Sequence, residues 1–263
     1  VSIWHYKPEY LEYLSQKQFH KDLNCNIPKS INFISSHQHI DKESCILICL
    51  PSQKIRKTLT SLKLKNIYYI NASKGIELKT GKLISTIIKE TTLADDNTIA
   101  CLSGPSHAEE VVRKIPTVIS VASKNPEFSK CVQIHFSNSF LRIYEADSIE
   151  AMQVGGSVKN IISIASGICI GLGYGDNTIA ALITRGIQEI IRFSKIYTPN
   201  TTSLLGISGI GDLIVTATSS HSRNKSLGIL VGQGKKINKI SNKMNMVIEG
   251  IETTKAVYLM SKK

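Results

Sequence analysis

The sequence predicts an α/β domain over residues 1–148 followed by an all-helical domain over residues 149–263, with a cleft between them. Two patterns carry this reading. In the first half, short apolar runs alternate with amphipathic stretches, as strands and helices taken in turn would, and this argues for a mostly parallel sheet covered on both faces. From Ile149 onward strand signals become scarce and apolar residues recur at helical spacing.

Taken in order, Val1–Trp4 reads as a strand already under way. The chain does not open on methionine, so an N-terminal segment is expected to be missing. Helix-like stretches lie near Pro8–Gln18, Gln53–Leu62, Lys82–Thr92, His107–Lys114 and Glu127–Ile134. Between them, Ile46–Leu50, Ile67–Ile70, Ile99–Leu102, Thr117–Val121 and Leu141–Tyr144 read as strands. The unbroken apolar run Ile46–Leu50 fits a strand buried on both faces. In the second half Val158, Ile161, Ile162, Ala165, Ile168 and Cys169 form one apolar stripe, and Ile179, Leu182, Ile183, Ile187, Ile190 and Ile191 form another. The glycines of Gly171-x-Gly173-x-Gly175 read as a turn between two helices rather than a dinucleotide loop.

Composition narrows the function classes. The 263 residues carry 42% hydrophobic and 20% charged side chains, too apolar for a disordered chain. The apolar runs, such as Cys45–Leu50, fall short of the ~20 residues of a membrane span. A net charge of +12 raises the question of nucleic acid. Residues 223–263 hold nine basic and two acidic residues, with Tyr258 the only aromatic among them, so no stacking surface for single strands is expected. A solvated basic face fits better, followed by a site for a small phosphorylated anion. The six cysteines, at 25, 45, 49, 101, 131 and 169, show neither a CxxC nor a metal-binding spacing. Buried free thiols in a reducing cytosol account for them, and no metal is expected.

In an open α/β sheet ligands bind beyond the carboxyl ends of the strands. The residues there are Leu50-Pro51-Ser52, Ala72-Ser73-Lys74-Gly75 and Ser103-Gly104-Pro105-Ser106. They fit ordinary turns, yet three such turns in register, one bearing a cation, favour a ligand site. In the second half, Lys159 follows Gly155-Gly156 beside an apolar stripe. It either snorkels to water or points into the cleft, where desolvation would lower its pKa toward that of an acid–base catalyst. Asp212, after Gly206-Ile207-Ser208-Gly209-Ile210-Gly211, fits a helix N-cap or a carboxylate that orients a lysine. Ser222 could cap the next helix, leaving Arg223 and Asn224 among the unpaired N–H groups of its first turn, a setting suited to phosphate. His221 alone is a weak candidate.

These motifs resemble the bacterial NAD(P)-dependent glycerol-3-phosphate dehydrogenases. The resemblance runs along the whole chain: Val1–Trp4 with Pro8-Glu9, Ser73-Lys74-Gly75, Gly104-Pro105-Ser106, Gly156-Ser157-Val158-Lys159-Asn160, Ala181–Gly186, Gly209-x-Gly211-Asp212-Leu213, His221-Ser222-Arg223-Asn224 and Glu249-Gly250. It implies a Rossmann-type α/β domain whose first strand and helix are missing, followed by an all-α domain. It implies NAD or NADP as cofactor and hydride transfer to dihydroxyacetone phosphate, giving sn-glycerol 3-phosphate for phospholipid synthesis. A cytoplasmic homodimer goes with it. Carried over by motif, Lys159 is the catalytic acid/base. Lys74, Gly104, Ser106, Lys159, Asp212, Ser222, Arg223 and Asn224 bind substrate. Tyr6, Lys74, Ala108, Arg223, Val247 and Glu249 bind cofactor.

The sequence departs from the family pattern in four places. The glycine-rich loop and first helix are absent, as is the last helical stretch after Lys263. Tyr6-Lys7 stands where the family often has a basic residue, and no acid is available there for a ribose hydroxyl, which points toward NADP tolerance. His107 replaces an aromatic residue. The competing readings are another two-domain dehydrogenase, of the 6-phosphogluconate or hydroxy-acid type, and a basic nucleic-acid-binding protein.

Overall fold

The computed structural model describes residues 1–35, 44–64, 67–237 and 248–262. The chain runs β1 (Ser2–Trp4), α1 (Pro8–Lys17), β2 (Phe19–His20), β3 (Cys25–Asn26), β4 (Asn32–Ile34), β5 (Cys45–Ile48), α2 (Ser52–Leu62), β6 (Tyr68–Asn71), α3 (Ile84–Thr92), β7 (Ile99–Ser103), α4 (Ala108–Val111), β8 (Thr117–Ser123), α5 (Pro126–Phe136) and β9 (Leu141–Glu145). Helices follow: α6 (Ile149–Gly171), α7 (Asp176–Ser194), α8 (Asp212–Thr218), α9 (Arg223–Gly232) and α10 (Glu249–Met260).

Five strands form one sheet in the order β5-β6-β7-β8-β9. β5, β6 and β7 are parallel, with Ile48 opposite Asn71 and Asn71 opposite Cys101. β8 runs antiparallel to β7, and β9 parallel to β8. The sheet is mostly parallel, as expected, with three parallel pairings and one antiparallel step between β7 and β8. The antiparallel step follows the connection that carries the short helix α4. The helix expected over His107–Lys114 covers only Ala108–Val111, and Lys114 follows at φ +59°, a left-handed conformation that ends helices. β1 pairs in parallel with β4, and β2 with β3 in an antiparallel hairpin; β2, β3 and β4 are too short for a periodic signal.

One face of the sheet packs on α2 and α3 through Ile55, Leu59, Ile84, Ile87 and Ile88, each 2% exposed or less. α5 covers the other through Phe128 and Val132. β5 is not buried on both faces as its apolar run suggested: Ile48 is buried, while Cys45, Leu47 and Cys49 are exposed. They lie on the face that α5 covers farther along, where the rings of Phe128 and Tyr68 are 4.8 Å apart. The thiols are all free, as expected, but Cys101 alone is buried. Cys45, Cys49 and Cys131 are exposed.

α6 starts where the sequence changes character, its first turn capped by Ser148, whose side chain accepts from the Ala151 N–H. Residues 151–160 are buried all round, Val158 of the apolar stripe among them, but beyond Asn160 the most buried face is not that stripe. Lys159, Asn160, Ser163, Ser166 and Gly167 are buried, whereas Ile161, Ile162, Ala165, Ile168 and Cys169 are partly covered. The small residues seat α9: a Cβ on Gly167 would stand 2.1 Å from the Lys225 carbonyl, and one on Gly228 would stand 2.1 Å from that of Ile164. Gly171 and Gly232 repeat the arrangement one turn on, so a small-x-x-x-small pair on each helix meets its counterpart. By length and composition α6 passes for a membrane span, which apolar runs alone did not reveal. Its buried polar residues and the four helices around it make it a core helix.

Candidate active site

The parallel strands β5, β6 and β7 end side by side, so their following turns lie in register, as the sequence implied. The turn after β6 carries Lys74. Its Nζ donates to the Gly104 carbonyl after β7 (3.2 Å) and to Asp212 Oδ2 (2.7 Å). Gly104 sits at φ +151°, and a Cβ there would lie 2.8 Å from the backbone of Ile119, so glycine keeps this turn close to β8. The Ser106 hydroxyl donates to the same Gly104 carbonyl.

α6 brings Lys159 to the other oxygen of Asp212. Its Nζ donates to Asp212 Oδ1 and to Thr216 Oγ1 (2.7 Å). Asp212 is 1% exposed and Lys159 5%. Two ammonium groups thus share one buried carboxylate. Burial first, and the Lys74 charge second, lower the Lys159 pKa to about 7, against the opposing pull of Asp212. A lysine near neutrality can give or take a proton at a reacting oxygen. Asp212 is not the N-cap that its spacing suggested. A π-helical turn, Ile207–Gly211, runs straight into α8, and its helical backbone leaves the Asp212 carboxylate free for the two lysines. Thr216, one turn along α8, was not singled out from the sequence, although i,i+4 spacing places it beside Asp212.

Ser222 caps α9, accepting from the Lys225 N–H (3.2 Å), and its hydroxyl lies 3.1 Å from that of Ser163. The Asn224 amide donates to Asn160 Oδ1 (3.0 Å) and accepts from the Gly250 N–H (3.1 Å). Both side chains therefore brace α9 against α6 and α10. The Arg223 and Asn224 N–H groups and the exposed Arg223 guanidinium are what the first turn offers an anion. Both Glu249 oxygens accept from Ser52 at the start of α2, one from its N–H (3.3 Å) and one from its hydroxyl (2.8 Å). Burial raises the Glu249 pKa in spite of those bonds.

The structure thus joins Lys74, Gly104, Ser106, Lys159 and Asp212 into one cluster, and links Ser222 and Asn224, which flank Arg223, to it through Ser163 and Asn160 of α6. Ala108 opens α4 three residues after Pro105. Tyr6 stands apart from these contacts. It is 62% exposed, with its ring on His5 and under Lys7. Val247 lies outside the described residues.

Family models for the N-terminus and the C-terminus of NAD-dependent glycerol-3-phosphate dehydrogenase match residues 1–129 and 148–263. The chain belongs to this family. It is 42% identical over 257 residues to the glycerol-3-phosphate dehydrogenase [NAD(P)+] of Staphylococcus carnosus, a match covering 95% of this chain and 74% of that one. Its identity to the Clostridium botulinum enzyme is 43%, over 91% of this chain and 73% of that one. Among solved structures, the Coxiella burnetii glycerol-3-phosphate dehydrogenase superposes with a TM-score of 0.93 at 29% identity, covering 100% of this chain and 82% of that one. The family accounts for the Rossmann-like sheet followed by a helical half, and does not favour the nucleic-acid or other dehydrogenase readings.

Proposed function

We propose that the chain reduces dihydroxyacetone phosphate to sn-glycerol 3-phosphate, reversibly, with NADH or NADPH. The observation that carries this is the pair Lys74–Lys159 on the single carboxylate of Asp212. It combines a lysine at the strand ends, where a dinucleotide lies in such sheets, with a buried lysine able to exchange a proton near neutrality.

The residues present fit the cofactor's reactive end. Ser52, Gly75 and Gly104 keep the strand ends small, and the buried Ser103 hydroxyl there has no partner among the described residues. Lys74, Ala108, Arg223 and Glu249 would hold it, and the family motif adds Tyr6 and Val247. The nicotinamide, when bound, supplies the hydride that goes to C2. Lys159 donates its proton to the ketone oxygen as that oxygen gains charge, and takes it back from the alcohol in reverse. Lys74 places a second positive charge near the same oxygen. Asp212 holds both ammonium groups in place and, with Gly104 and Ser106, lines the substrate's hydroxyl end. Arg223, with the first N–H groups of α9, takes the phosphate, while Ser222 and Asn224 shape that turn.

This reading divides the chain at 148/149 and includes a cytoplasmic homodimer that feeds phospholipid synthesis. The decisive assay follows NADH and NADPH oxidation with dihydroxyacetone phosphate. Lys159→Ala is expected to lower kcat by about 10²–10⁴-fold with cofactor binding retained; near-normal turnover would remove the assignment. Arg223→Ala is expected to raise KM for the phosphorylated ketone far more than KM for the cofactor.

A further inference from the structure

His107 and His221 come from opposite halves of the chain, on the turn before α4 and the turn before α9, yet their rings meet with centroids 5.8 Å apart. The Nε2 atom of His107 is shut off from water and has no partner among the described residues. Leaving such a group unpaired is costly. The turn does not need the ring, because it is the His107 carbonyl that accepts from Glu110 and Val111. What the ring meets instead is the residue next to Ser222, at the mouth of α9 where Arg223 and two N–H groups await an anion.

We propose that His107 is a specificity-determining residue of this site: its Nε2–H donates to an oxygen of the substrate's phosphate, held between the turn after β7 and the start of α9. The proposal rests on the reading above that the substrate is a phosphorylated ketone. The donor is a neutral imidazole. Burial, then the nearby Lys159 charge, lower the His107 pKa, and His221 acts in the same direction; Glu109 and Glu110 oppose them from α4. A neutral ring has one N–H to give, and a phosphate oxygen, which only accepts, matches it. A carbon chain without phosphate leaves Nε2 unpaired, so the ring selects for the phosphate.

The test compares dihydroxyacetone phosphate with dihydroxyacetone in wild type, His107→Phe and His107→Gln. In His107→Phe the preference for the phosphorylated ketone, taken as the ratio of the two kcat/KM values, is expected to fall at least tenfold through a raised KM. His107→Gln, which restores an N–H donor, is expected to recover much of it. Loss of both activities in parallel would mark a structural role and overturn the proposal. A rise confined to the KM for NADH would assign the contact to the cofactor's phosphates and also overturn it. Wild-type enzyme inactive on dihydroxyacetone phosphate would instead remove the functional reading itself.

Discussion

At the scale of single residues, the site turns on charge balance around Asp212. Lys159 titrates near pH 7 because burial and Lys74 disfavour its charged form. Ketone reduction needs the ammonium, so its rate should fall as pH rises through about 7. Alcohol oxidation needs the amine and should rise through the same range, and initial rates in both directions across pH 5.5–9 check this. Asp212→Asn removes the one carboxylate between the two lysines. The Lys159 pKa should then fall further, moving both limbs to lower pH. Stability should drop by about 3–5 kcal/mol, read by urea denaturation, because the buried Lys159 and the partly buried Lys74 lose their counter-charge. A stability loss with unmoved limbs would deny Asp212 its part in tuning Lys159. These residues were legible in the sequence as types at strand ends and helix starts. Their convergence was not, because no local pattern tells that Lys74 and Asp212, 138 positions apart, share a hydrogen bond. The side chains of Ser222 and Asn224 show the converse. Their motif suggests ligands and gives no sign of the internal bonds they also make, to Ser163, Asn160 and Gly250.

At the scale of elements, periodicity located the long helices and the major strands, since their apolar faces must recur at 3.6 or 2 residues. It missed β2, β3 and β4, which are too short to hold a clear period, and it misread the lower part of α6. Beyond the buried Val158 the apolar stripe is half-covered while the small, polar face is buried, because backbone-to-backbone contact with α9 requires missing side chains rather than large ones. Gly228→Ala tests that contact. With its Cβ 2.1 Å from the Ile164 carbonyl, the two helices must part. A destabilisation of about 1–3 kcal/mol is expected from overpacking, read as a lower urea midpoint. The start of α9 carries the anion-binding turn, so KM for dihydroxyacetone phosphate should rise as well. An unchanged midpoint would mean that α6 and α9 are not held at this separation.

At the scale of the whole molecule, the junction of the two halves combines apolar packing, with Ile76 and Leu83 buried among Val154, Val158 and Ile187, and a set of polar ties. The Gly75 N–H donates to Ser157 Oγ (2.8 Å), and Tyr197 donates to the Gly81 carbonyl (2.7 Å). Glu249 of α10 clasps Ser52 of α2, so close that a Cβ on Gly75 would lie 2.4 Å from the Ser52 hydroxyl and 3.1 Å from Glu249 Oε2. That tie carries an electrostatic cost. Burial raises the folded-state pKa of Glu249 above its unfolded value, so between the two values the folded chain holds more protons than the unfolded one. Stability from this group is then fully present below the unfolded value and is lost as pH rises through the folded one. Glu249→Gln keeps an oxygen to accept from the Ser52 hydroxyl but cannot ionise. Its urea midpoint at pH 7.5 should equal or exceed that of wild type, and its midpoint should fall less between pH 4.5 and pH 7. If the variant is instead less stable at pH 7.5 and falls as steeply as wild type, the ionised carboxylate is a net source of cohesion. The halves would then be held by its charge, with Arg223 as the nearby cation, rather than by the hydrogen bonds to Ser52.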